Sequence, residues 1–168
     1  MAERKDLPYS TKKIMDIQTP LGQWSLAKEY VIMRKLCKKM SWFDVPTPRD
    51  MPAPLDGVMS DDVGMVFVYE VKCRDTTLVQ LQNWGTYLIS YSKIVAGAQA
   101  SALFCVPFVV LVHTTQDDRL ISLRITNEKG EVKALMEVSE TETQATINGG
   151  KAKRLNAYIN MDIAKVLI

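Results

Sequence analysis

The chain has few of the residues that build soft-metal centres and covalent cross-links. Its 168 residues include one histidine, His113, and three cysteines. Cys37, Cys73 and Cys105 are far apart and odd in number, which excludes a zinc-type Cys/His cluster and a disulfide framework. They read as small core residues of a reducing compartment. Long hydrophobic runs are also missing. The longest, 102–112, is interrupted by Pro107 and is shorter than the roughly 20 residues a membrane span needs. The first residues are polar with no apolar run behind them, so a secretory signal is not expected, and the protein is expected to be cytoplasmic with no membrane partner. A P-loop, a dinucleotide glycine pattern and a Ser/His/Asp set are absent too, which removes the common nucleotide-binding and acyl-transfer chemistries.

What is present fits a globular domain. Apolar residues make up 47% of the chain, enough for a sizeable core, and the length suits one domain over 1–168 with 1–21 as a loosely packed arm. The net charge of +2 does not mark a nucleic-acid binder, but the charge is unevenly spread. Residues 1–49 carry ten basic and five acidic side chains, residues 50–150 seven and thirteen, and residues 151–168 four and one. An acidic middle suits a cation, and basic ends could grip a polyanion; ordinary solvated faces would look the same.

The apolar spacing predicts a helix from about residue 24, with Ser25 as a candidate cap and Leu26, Tyr30, Met33, Leu36, Cys37 and Met40 as its stripe. Four prolines over 46–54 then force an extended connection. A short strand at 56–59, a turn at 60–64 and a strand at 65–73 follow. A second long helix is expected from Asp75 or Thr76 to about Ala96, carrying Gln80, Trp84, Tyr87 and Tyr91 on one stripe. The run 104–113 reads as a central strand buried on both faces, and 120–126 with 131–138 as a hairpin. A strand at 157–159 precedes a short helix capped by Asn160. This order predicts an α/β fold, a mixed sheet with two long helices on its faces.

Three charges stand out on the two-strand unit. Glu70 and Lys72 share one face of the second strand, with Val71 turned away. A carboxylate among apolar neighbours is costly unless it is paired or bound to a metal. Asp56 opens the neighbouring strand, and antiparallel pairing across the 60–64 turn would bring it beside Glu70 and Lys72. Two carboxylates at that range suit a cation between them, with Mg²⁺ the natural hard-oxygen choice. Taken singly, Glu70 and Lys72 could be a surface pair and Asp56 a turn residue. A one-residue slip in register would turn Glu70 and Lys72 to the opposite face. Glu29 lies near the apolar stripe of the first helix with no basic i±3 or i±4 neighbour, so it is either a boundary residue or a third acid. His113 reads as a strand-end hydrogen bonder. Lys151, Lys153 and Arg154 follow a Gly-Gly turn and could reach phosphates.

Asp56, then Glu70-Val71-Lys72, then a helix beginning near Thr77 resembles the PD-(D/E)XK nuclease superfamily. Glu29 on the preceding helix and Gln80-Leu81-Gln82-Asn83-Trp84 on the following one match further family features, over roughly 24–113. The resemblance implies a restriction-endonuclease-like three-layer α/β/α fold with a central mixed sheet flanked by helices. It implies a metal-dependent nuclease hydrolysing phosphodiester bonds in DNA, with a homodimer compatible. The residue roles it implies are these: Asp56, Glu70 and the Val71 carbonyl ligate Mg²⁺ or Mn²⁺, and Glu29 holds a metal-bound water or a second ion. Lys72 orients or activates the attacking water, and Gln80 hydrogen-bonds within the site. The alternative is a non-cleaving nucleic-acid-binding or assembly module on the same fold.

Overall fold

A computed structural model describes residues 19–48, 53–144 and 151–168. The first helix, α1 (Pro20–Met40), starts five residues before the expected cap. Thr19 is extended and its hydroxyl accepts from the Gly22 N–H at 3.1 Å, while Pro20 occupies the first turn, where no N–H is needed. The expected 1–21 arm therefore ends inside helix. Ser41 closes α1 in the left-handed region, its N–H bonded to the Cys37 carbonyl. The buried stripe is Ile32, Met33 and Leu36; Tyr30 and Met40, expected on it, are exposed.

The main sheet has six strands: β1 (Phe43–Pro46), β2 (Gly57–Ser60), β3 (Met65–Arg74), β5 (Phe108–Thr114), β6 (Arg119–Arg124) and β9 (Lys165–Val166), in that spatial order. β3 and β5 are parallel and every other neighbour is antiparallel, so the sheet is mixed, as expected. β1 was not anticipated. Between β3 and β5 the chain makes the crossover that parallel pairing demands. It runs through α2 (Leu78–Asn83), β4 (Thr86–Ser90) and α3 (Tyr91–Phe104).

That crossover corrects the expectation of one long helix over 76–96. Gly85 takes a left-handed φ of +72° and ends α2, and Tyr87 and Ile89 are then buried on alternate positions as in a strand. β4 pairs with β8 (Lys151–Asn160), which pairs in turn with β7 (Met136–Gln144), giving a second, three-stranded antiparallel sheet. Trp84, Tyr87 and Tyr91 thus do not share a helical stripe: Trp84 caps α2, Tyr87 is on β4 and Tyr91 opens α3. The 120–126/131–138 hairpin is reduced to a single Thr126–Val132 bridge, beyond which the chain leaves for the second sheet. Asn160 does cap a short 3₁₀ turn, Met161–Ile163, its side chain accepting from the Asp162 N–H.

Alternation along β3 splits the core in two. Phe67, Tyr69 and Val71 face α1, packing with Ile32, Met33 and Leu36. Val68 faces the other way, into a core shared with Ile94 of α3, Tyr87 and Ile89 of β4, and Ala157 and Ile159 of β8. β5 is buried at every residue between the two. The protein is therefore mixed α/β with three α-helices among the described residues. No helix among the described residues is long and apolar enough to cross a membrane.

Candidate active site

The site forms where β2 leaves β3. The last ladder pair is Gly57 with Tyr69, and the Asp56 N–H still bonds the Tyr69 carbonyl at 3.1 Å. Continuing that register sets Asp56 opposite Glu70, the convergence on which the sequence argument depends. The turn that fixes it is closed by Asp61, whose Oδ1 accepts from the N–H groups of Val63 and Gly64, each at 2.9 Å. Asp56 then replaces the missing strand: its Oδ2 accepts from the Val71 N–H at 2.8 Å. The N–H and C=O of one strand residue point to the same side, so the Val71 carbonyl faces the same gap.

Thr47, which the sequence did not single out, holds Asp56 from behind. Its N–H and hydroxyl both donate to the Asp56 carbonyl, at 2.9 and 3.1 Å, and the hydroxyl also reaches the Leu55 carbonyl at 2.8 Å. Gly57 is required by crowding: a Cβ there would stand 2.6 Å from the Tyr69 hydroxyl, 2.7 Å from the Val45 carbonyl and 2.9 Å from the Pro46 Cα. That Tyr69 hydroxyl donates to Asp44 Oδ1 at 2.5 Å, tying β3 to β1.

Glu70 is at the centre and its side chain is 0% exposed. Lys72 Nζ stands 2.9 Å from Oε1 and 3.7 Å from Asp56 Oδ2. The Lys72 ammonium is thus the partner of Glu70 Oε1, a charge-assisted contact to a fully buried oxygen. On the other side, Lys93 of α3 donates to Glu70 Oε2 at 2.9 Å. Burial works against the Lys72 ammonium, but the carboxylates of Glu70, Asp56 and Glu29 outweigh it and hold its pKa above the ordinary lysine range. Lys72 is therefore a cation at neutral pH, a donor and not a base.

Glu29 is buried among the sheet-facing residues of α1, on the face of β3 opposite Glu70 and Lys72. Its charge acts on both Lys72 and the Cys73 thiol. Burial first, then Glu29, pushes that thiol up to about 11. His113 is a strand-end hydrogen bonder, as expected: Nε2 lies 2.9 Å from Asp118 Oδ1, with Nδ1 3.6 Å from Cys73 Sγ. Gln80 is engaged locally. Its Oε1 accepts from the Thr76 hydroxyl at 2.8 Å and the Thr77 N–H at 3.1 Å, completing the capping box that starts α2.

Two further residues border the site. Arg74 follows Lys72 on the same face of β3, and its guanidinium lies 5.4 Å from the centroid of the Tyr87 ring. The Tyr87 hydroxyl is buried, and burial pushes its pKa up against the opposing charge of Arg74.

No family model, curated protein or solved structure matches this chain.

Among the described residues no three His, Cys, Asp or Glu side chains gather to hold a metal ion by themselves. The fork offers the carboxylates of Asp56 and Glu70 and the Val71 carbonyl. That donor set is all oxygen and incomplete, which fits an ion such as Mg²⁺ that keeps several waters. The basic residues of β8 divide. Arg154 lines an open cleft with Ser90, Tyr91, Ser92 and Leu155, beside the first turn of α3. Lys153 is exposed and in register with Glu142 of β7, and the Lys151 side chain lies outside the described residues.

Lys93 and Thr47 were missed by sequence reasoning, and Tyr87 was placed on a helical stripe instead of a strand. Lys93 was hidden inside the supposed long helix; the only local signal was Ser90, a residue suited to cap a new one.

Proposed function

We propose that this chain is a metal-dependent nuclease of the PD-(D/E)XK type, on a restriction-endonuclease-like fold, that hydrolyses phosphodiester bonds in DNA. The observation that carries the reading is the convergence of Asp56, buried Glu70 and Lys72 at the β2–β3 fork. Asp56, Glu70 and the Val71 carbonyl would hold Mg²⁺ or Mn²⁺, while Glu29, on the other face of β3, would act on the site through its charge on Lys72 rather than as a ligand. The ion would polarise the phosphate and lower the pKa of a bound water. Lys72, fixed as an ammonium, donates to the attacking water or to a non-bridging phosphate oxygen and stabilises negative charge as it develops. Thr47 and the Gly57 contacts hold Asp56 in place. Gln80 acts by anchoring the start of α2. Arg154, with Lys153 and Lys151 on the same strand, would contact the nucleic-acid backbone.

A second reading, a non-cleaving nucleic-acid-binding or assembly module, draws on one observation: both Glu70 oxygens face ammonium groups. One panel separates the two. Purified protein is incubated with Mg²⁺, Mn²⁺ or EDTA and linear, circular, single-stranded or four-way-junction DNA, with Asp56→Asn and Lys72→Ala beside wild type. Cleavage that needs the divalent ion and is lost in both variants supports the nuclease. DNA retention without cleavage under every condition supports the module and sinks the nuclease.

A further inference from the structure

Glu70 has two ammonium partners, and the nuclease reading gives a role to only one. Lys93 is the third residue of α3, within the first turn, where a cation opposes the helix dipole. No acidic residue in that turn offsets it. The helix gains nothing from a lysine there, whereas the fully buried Glu70 gains an ammonium for the oxygen that Lys72 leaves open.

A divalent cation would change this balance. Asp56 and Glu70 are already matched in charge by Lys72 and Lys93. Even with the Glu29 charge counted, adding two positive charges while both ammonium groups stay would leave the buried site net positive, which favours release of one ammonium. Lys72 is held by Asp56 as well as Glu70 and by the charge of Glu29. Lys93 has its one ion pair, among the described residues, with Glu70, and its side chain is 27% exposed, which gives it a way out to solvent.

We propose that Lys93 competes for the metal position: it neutralises Glu70 while no divalent cation is bound and yields that oxygen when one binds, so it sets the metal affinity of the site. This rests on the reading of Glu70 as a metal ligand. Two ligands that compete for one carboxylate are negatively coupled, and couplings of this kind are worth about 5- to 150-fold in affinity.

The test is calorimetric titration of Mn²⁺ into wild type, Lys93→Met, Lys93→Gln and the double variant Glu70→Gln/Lys93→Gln, with thermal unfolding of the metal-free proteins. Lys93→Gln keeps a hydrogen-bond donor toward Glu70 and guards against a variant that fails to fold. Expected is Mn²⁺ binding at least about fivefold tighter in both single variants. A lower metal-free unfolding temperature and a larger rise on adding Mn²⁺ should accompany it, and the gain should vanish in the double variant. Equal or weaker Mn²⁺ binding in both single variants, or no binding in any protein, overturns the proposal. If the affinities shift as expected while no protein cleaves DNA, the competition stands and the nuclease reading falls. If wild type cleaves and the affinities do not shift, the reverse holds.

Discussion

The Asp56 carboxylate bonds the Val71 amide at 2.8 Å, taking the position of a strand that has already turned away. One side chain thereby continues the sheet and offers charge to the site. The two roles separate by substitution. Asp56→Asn keeps an acceptor for the Val71 N–H, so urea unfolding should stay close to wild type while cleavage is lost. Asp56→Ala leaves that N–H without a partner and should cost about 1–3 kcal/mol. An Asn variant that cuts DNA at the wild-type rate removes Asp56 from the chemistry.

Gly57→Ala tests how Asp56 is held. The new Cβ would meet the Val45 carbonyl and the Pro46 Cα, both backbone, so β1 and β2 must move apart. A loss of about 1–3 kcal/mol is expected, with slower cleavage as Asp56 shifts. Gly64→Ala is the control, because nothing lies within 4 Å of its Cβ position. Equal unfolding midpoints for the two variants would show that the crowding at Gly57 is relieved at no cost.

The alkaline behaviour of Lys72 follows from its raised pKa. A lysine held higher in the folded than in the unfolded chain contributes fully below the ordinary value of about 10.4. That contribution is lost as pH rises through the folded value. Lys72→Met should therefore be less stable than wild type by an amount that is flat from pH 7 to 9 and shrinks above pH of about 10. The plateau should be about 1–3 kcal/mol, less than for a fully buried pair, because Lys72 is 33% exposed and Glu70 keeps Lys93. Urea unfolding of both proteins across that range measures it, and a gap that widens with pH contradicts the assignment.

Gln80→Ala separates a cap from a site residue. Loss of the capping box should lower stability by about 0.5–2 kcal/mol. Cleavage measured well below the unfolding temperature should change little. A large fall in the cleavage rate with stability intact would place Gln80 in the chemistry instead.

Local pattern revealed the fork and concealed the rest of the site. Asp56, Glu70 and Lys72 were legible because period-2 alternation on β3 and a short turn fix their geometry within about 20 residues of chain. β4 was not, because α2 and α3 supply helical spacing on either side of it and its partner β8 is some 70 residues downstream. Only that distant pairing makes 86–90 a strand. Lys93 was lost for the same reason, since its place at the start of α3 exists only if the supposed helix is broken at Gly85. The stripe of α1 was misjudged by a fraction of a turn: Tyr30 was chosen for its spacing from Leu26 and Met33, yet Ile32 is the buried residue.

The pairing of β4 with β8 also orders events in time. During synthesis β4 emerges with the crossover, while its partner, Lys151–Asn160, is made some 60 residues later. Until then Tyr87 and Ile89 lack the cover of Ala157 and Ile159, and the β4 edge has unpaired backbone groups. The nascent chain thus passes through an interval in which the α3 side of the main sheet is incompletely covered, and the last strand of the small sheet acts as the clasp that ends its exposure to wrong partners.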